Sequence, residues 1–179
     1  MFLTRFDLES TLNIADMKIL AENDIDYLTA HEKAISIIKS YIQHRYDPDE
    51  IFITVNKYNA TTTYSVGDFV FYINKYYTCT AASTGNLPTD TNYFTESDQR
   101  DPSIVDICCI LTIYLLFRKV QPRNIPEWIM EDYDRVTEAL KAYQKGTRTI
   151  LLTVSTDTDG DEEGHRISYG TETQKDWEI

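Results

Sequence analysis

DPSIVDICCILTIYLLFRKV, residues 101–120, is the stretch on which the fold turns. Asp101 before Pro102 marks a helix start: the carboxylate can accept from free N–H groups of the first turn, and proline at the first helical position loses no bond it needed. Ile104, Val105, Ile107, Cys108, Cys109, Ile110, Leu111, Ile113, Tyr114, Leu115 and Leu116 then leave no polar face, with only Asp106 and Thr112 interrupting. A helix that is apolar all round is buried. The run is too short and too interrupted to span a bilayer, which needs about 20 predominantly apolar residues, so it predicts the central helix of a bundle. Asp106 is expected to pair with an Arg or Tyr of a neighbouring helix, since an unpaired carboxylate inside a core is costly.

The elements that cover this helix follow from the rest of the chain. At 179 residues and 42% hydrophobic content, the chain has enough apolar material for a core. Its net charge of −12, with no basic block, argues against nucleic acid as a partner. Cys79, Cys108 and Cys109 are odd in number, two are adjacent in the apolar run, and no basic-then-apolar leader opens the chain, so a reducing cytosol is expected. Adjacent cysteines make a poor metal-ligand spacing and are read as small buried side chains.

Thr4 caps a short amphipathic element carrying Phe6, Leu8, Leu12 and Ile14, and Met17, Ile19, Leu20 and Tyr27 predict a second short helix. Ala34, Ile35, Ile38, Tyr41, Ile42 and Tyr46 recur at three and four and predict a helix over 30–46, with His31, Glu32, Lys33, Ser36, Lys39, Ser40, Gln43 and His44 on its solvent face. Asp47-Pro48 ends it. The texture then changes to short β-branched and aromatic runs, IFITV at 51–55, TTTYSV at 61–66, FVFYI at 69–73 and YYTCT at 76–80, read as strands with a hairpin turn at Asn74-Lys75. Pro126 opens a last helix, to about 145, with Trp128, Ile129, Tyr133, Val136, Leu140 and Tyr143 on one stripe and Gly146 as its left-handed terminus.

The expected fold is therefore α+β: a discontinuous helical bundle of residues 1–57 and 98–149, an inserted β-rich module of residues 58–97, and an extended acidic C-terminal arm of residues 150–179. The arm carries an apolar patch of Ile150, Leu151, Leu152 and Val154. Beyond it, Asp157, Asp159, Asp161, Glu162, Glu163, Glu172, Asp176 and Glu178 face only Arg166 and Lys175, too polar a composition to fold alone. Ile150, Leu151, Leu152, Val154, Tyr169 and Trp177 are the candidate partner-binding residues, the patch by strand addition and the two aromatics as anchors.

Signs of chemistry are few. His31 and His44 sit on the exposed helix face and His165 in the arm, away from any cysteine or serine nucleophile. No phosphate-cradling loop, HExxH or Cys-x-x-Cys occurs, and Asp157, Asp159, Asp161 and Glu162 are out of register for a calcium loop. No catalysis, cofactor or metal is expected.

The order of features, FLTRFDLEST, then AISIIKSYIQHRYD, RDPSIVDICCILTIYLLF and RNIPEWIMEDYDRVTEALKAYQKGT, resembles the head-to-tail connector (adaptor or head-completion) proteins of tailed bacteriophages. The likeness covers residues 1–56 and 98–150; its most telling pieces are the Tyr41 to Tyr46 helix end and the last helix from Tyr133 to Leu140. The insertion and long acidic arm depart from that pattern and suit the crAss-like group of short-tailed phages. The resemblance implies a structural virion protein made in the host cytoplasm and placed at the head–tail junction. Its implied partners are its own copies in a ring, usually a dodecamer, the portal protein, and tail or further ring proteins, with no membrane. Within the insertion, YSVGDFVFYINKYYTC resembles small aromatic carbohydrate-binding modules, with Tyr93-Phe94 standing where those carry an exposed tryptophan. This gives the alternative of a glycan binder stacking sugars on Tyr64, Tyr72, Tyr76 and Tyr77; a cytosolic scaffold is the third reading.

Overall fold

The computed structural model describes residues 1–12, 24–120 and 122–150, and over these the protein is an α+β fold. Its centre is helix α4 (Pro102–Val120), against which α2 (Asp24–Ile42) and α5 (Glu127–Lys145) pack, while also touching each other; α1 (Arg5–Thr11) lies across α4. Ile104, Ile107, Cys108, Cys109, Ile110, Leu111, Ile113 and Leu116 are all buried, so the stretch without a polar face is the interior helix. Asp101 caps it as expected, accepting from the Ser103 and Ile104 N–H groups at 2.8 and 3.1 Å. Thr112 is accommodated in the core because its hydroxyl donates to the Cys108 carbonyl one turn back at 2.7 Å. Asp106 corrects the sequence reading: it is exposed on the first turns of α4, next to a half-buried Val105, and needs no buried cation.

The helix over 30–46 is α2, but it runs from Asp24 to Ile42 and residues 43–46 form turns. Met17, Ile19 and Leu20 of the predicted second short helix lie outside the described residues, whereas Tyr27 belongs to α2 and is buried there. Asp47-Pro48 does not merely end a helix. The Asp47 carboxylate accepts from the Asp49 N–H at 2.9 Å and starts a one-turn helix α3 (Pro48–Ile51). That turn takes Ile51 into the bundle core, so no strand forms over 51–55. On α5, Ile129, Val136, Leu140 and Tyr143 are buried, while Trp128 is exposed at the N-terminal end of the stripe. Gly146 terminates the helix at φ 75°, where any Cβ would collide with the Arg45 guanidinium.

Six short strands follow, five within the insertion and β1 just before its expected start at residue 58: β1 (Asn56–Lys57), β2 (Thr63–Tyr64), β3 (Phe69–Tyr72), β4 (Lys75–Cys79), β5 (Ser83–Thr84) and β6 (Phe94–Glu96). A mixed sheet has the order β1-β3-β4-β6, with β1 parallel to β3 and the remaining pairs antiparallel; β2 and β5 pair separately. The β3–β4 register pairs Tyr72 with Lys75, which puts the two-residue turn at Ile73-Asn74, one position earlier than read from the sequence. A slip by one residue would turn Val70 and Tyr77, both buried, to the opposite face. Tyr64, Val70, Tyr77, Cys79 and Phe94 form a small core of their own, separate from the cluster built around α4. A seam of Val55, Phe69, Phe71 and Tyr76 joins the sheet to the bundle, with Phe6 of α1 meeting Phe71 at 6.1 Å between ring centres.

Candidate functional site

The densest polar arrangement lies at that seam, where three parts of the chain far apart in sequence meet. Asp7 follows the Thr4 cap at the position where an acidic side chain reaches back, and its carboxylate accepts from the Thr4 N–H at 2.6 Å. Arg100, in the last residues before α4, grips both Asp7 oxygens at 2.9 and 3.0 Å, bonds Asp98 through Nε at 2.9 Å and through the guanidinium at 2.8 Å, and reaches the Phe2 carbonyl at 2.8 Å. Five N–H groups thus have five acceptors. From the inserted module, the Tyr76 hydroxyl bonds Asp7 at 2.7 Å and lies 2.7 Å from the Thr4 hydroxyl, while the Arg100 guanidinium sits 4.0 Å above the Tyr76 ring.

The electrostatics follow from this geometry. Burial pushes the Asp7 carboxyl up, but the hydrogen bonds and charge of Arg100, with the Thr4 N–H and the Tyr76 hydroxyl, outweigh it and hold it below the usual carboxylate value. Burial raises the Tyr76 phenol. Asp7 therefore stays ionised with both oxygens occupied, and Arg100 has no donor left for an incoming anion. The cluster is a clamp between bundle, module and α4 rather than a proton-transfer site. A cavity of about 260 Å³ opens beside it, lined by Ser10, Thr11, Val105, Asp106 and Cys109 as well as by the clamp.

A second polar site ties down the N-terminal segment. His31 is buried, not on the solvent face of α2, because Met1 to Thr4 lie over it: Nε2 accepts from the Leu3 N–H at 3.2 Å, and the Tyr27 hydroxyl donates to the Leu3 carbonyl at 2.8 Å. Burial, with the N-terminal charge nearby, lowers the His31 pKa to about 4, so the ring is neutral and an acceptor. Cys108 is buried and its thiol is pushed up to about 12, and Cys109 is raised likewise by burial; both are inert packing groups.

Of the residues expected to bind partners, Ile150 is buried against the bundle and its N–H donates to the Tyr46 hydroxyl at 3.3 Å, so it closes this chain's own core. Leu151, Leu152, Val154, Tyr169 and Trp177 lie outside the described residues. The tyrosines offered as a sugar-stacking face are divided by the pleat: Tyr64, Tyr76 and Tyr77 are buried, and Tyr72 is half-buried against Tyr58.

Exposed large apolar side chains are spread over the described residues, Met1, Phe6, Val66, Ile73 and Leu87 among them. Leu28, Val120, Trp128 and Met130 are exposed where α2 begins, α4 ends and α5 begins. Lys119 pairs with Asp26 across that end, and Trp128 meets Phe117 edge-on at 6.5 Å. A groove of about 330 Å³ beside α4 and α5 is lined by the polar and charged Ser103, Asp106, Arg135, Glu138 and Arg148 as well as by Ile107, Val136 and Ala139. Among the described residues no group of three or more His, Cys, Asp or Glu could hold a metal ion, and no helix is long and apolar enough to cross a membrane. No family model, curated protein or solved structure matches the chain.

Proposed function

We propose that this chain is a ring-forming connector subunit that binds the portal of a tailed phage and seats the next component of the tail. The observation that carries the reading is the mutual packing of three elements. The segments bearing the resemblance, the α2 end, the buried helix and the last helix, are the three helices that cover one another, with the insertion clamped at one edge. The exposed Leu28, Val120, Trp128 and Met130 at one end of the bundle support it further, since an apolar group with a tryptophan is the composition of a contact centre.

The arm serves this function as a tether. The eight carboxylates from Asp157 to Glu178 repel one another until a basic surface of the portal or a neighbouring copy meets them. A chain ending at Ile150 should keep its helical circular dichroism and lose most of its co-sedimentation with portal oligomers, and added salt should weaken the intact complex. Equal co-sedimentation by the shortened and intact chains would contradict the tether. Ending the chain at Gly146 is a poorer test, because it also strips Ile150 from the core.

A further inference from the structure

Residues 1–4 form a strap whose polar groups are tied to separate parts of the fold. The Met1 carbonyl accepts from the Val55 N–H at 2.8 Å, just ahead of β1. The Phe2 carbonyl accepts from Arg100, the Leu3 carbonyl accepts from Tyr27, and the Leu3 N–H donates to His31 at 3.2 Å. Phe2 and Leu3 are buried, with Phe2 edge-on to Phe52 at 5.0 Å. Thr4, the next residue, already belongs to the clamp. One of these ties differs in kind from the others. A second proton on the His31 imidazole turns Nε2 from acceptor into donor, facing a Leu3 N–H that can also only donate.

We propose that Met1 to Leu3 are an acid-released strap: a proton on His31 lifts them from α2 while the Asp7–Arg100 clamp continues to hold α1 to the module. The charges around the ring set the direction. The Met1 amino group of the strap is a like charge that repels an imidazolium, and the opposing charge, Asp7 of α1, is already held through both oxygens by Arg100. On α2 itself the Tyr27 ring stacks on His31 at 5.9 Å, and Cys108 and Cys109 of α4, near Tyr27, are neutral in acid. The clamp outlasts the strap because the Asp7 carboxyl titrates below 3.8 and keeps its charge while His31 takes a proton. Release withdraws Phe2 and Leu3 from the core and the Met1 carbonyl from Val55. It loosens the joint ahead of β1 and leaves the bundle folded.

Hydrogen exchange of the Leu3 amide in the full-length chain, read by NMR and corrected for the intrinsic rate at each pH, measures the opening. His31 has a pKa of about 4 beneath the strap and 6.5 once freed, so the opening constant should rise about eightfold from pH 7 to pH 5.5. That range stays above the sequence pI of about 4.6, where the chain is least soluble. At both pH values Leu3 should open at least about tenfold more readily than the Leu111 amide of α4 or the Cys79 amide of β4, because the strap parts while the fold holds. His31→Gln, whose amide oxygen can still accept from Leu3, should change less than about twofold over the same range. A native-chain change below twofold, an eightfold change that survives His31→Gln, or a single opening constant shared by Leu3 and Leu111 would each overturn the strap.

Discussion

Asp7 and Arg100 are the residues on which the joint between the two parts of the protein depends. Both are almost fully buried: Arg100→Met strands the Asp7 charge and should cost roughly 3–5 kcal/mol in urea unfolding, while Asp7→Asn leaves Arg100 paired with Asp98 and should cost less. The double variant should cost clearly less than the sum, which a double-mutant cycle measures. His31 gives a pH signature. Its pKa falls from 6.5 unfolded to about 4 folded, so between these values the unfolded chain binds a proton that the native chain does not. The contribution is complete above pH 6.5 and is lost as pH falls toward 4, amounting to at most about 3 kcal/mol relative to His31→Gln, whose amide oxygen can still accept from Leu3. Asp7 acts in a lower window: its depressed pKa means that its contribution holds above 3.8 and fails below. The Thr4 cap was legible in the sequence because capping is local. The clamp was not, since Tyr76 and Arg100 reach Asp7 from 69 and 93 positions away. His31 carries no local sign that the N-terminal segment would fold over it.

At the scale of elements, the absence of a polar face identified α4, and the terminal Gly146 fixed the end of α5. Both signals are strong because a full apolar circumference or a left-handed stop has few other solutions. Short runs were harder. IFITV has strand composition, yet the Asp47-Pro48-Asp49 cap captured its first residue into a helical turn, and local capping outweighed β propensity. The hairpin turn moved by one residue because cross-sheet burial of Val70 and Tyr77 decides register, whatever turn residues suit it best. The central position of α4 predicts unequal responses along one helix. Leu111→Asp should unfold the protein or cost more than ~4 kcal/mol, because it places an unpaired carboxylate at a site that is 1% exposed. Lys119→Asp loses an exposed pair with Asp26 and should cost within ~1 kcal/mol. Comparable unfolding midpoints for the two variants would place α4 outside the core.

For the whole molecule, α+β architecture was readable because the pattern changed abruptly from a period of three to four to short β-branched runs and back. The way the module is held, and the gathering of Leu28, Val120, Trp128 and Met130 at one end, were not, since each depends on which helix ends meet. Together these features leave exposed apolar side chains where α2 begins, α4 ends and α5 begins, and an exposed Ile73 at the β3–β4 turn. A connector subunit needs that distribution, because it must touch neighbours, portal and tail at once. The most direct measurement is electron cryomicroscopy of the full-length chain co-expressed with a tailed-phage portal protein. The account predicts a closed ring of this chain on the tail-facing end of the portal, with the bundle end carrying Trp128 in the protein contact and the arm in density along its neighbour. Bare portal rings, with this chain eluting separately as a monomer, would contradict it.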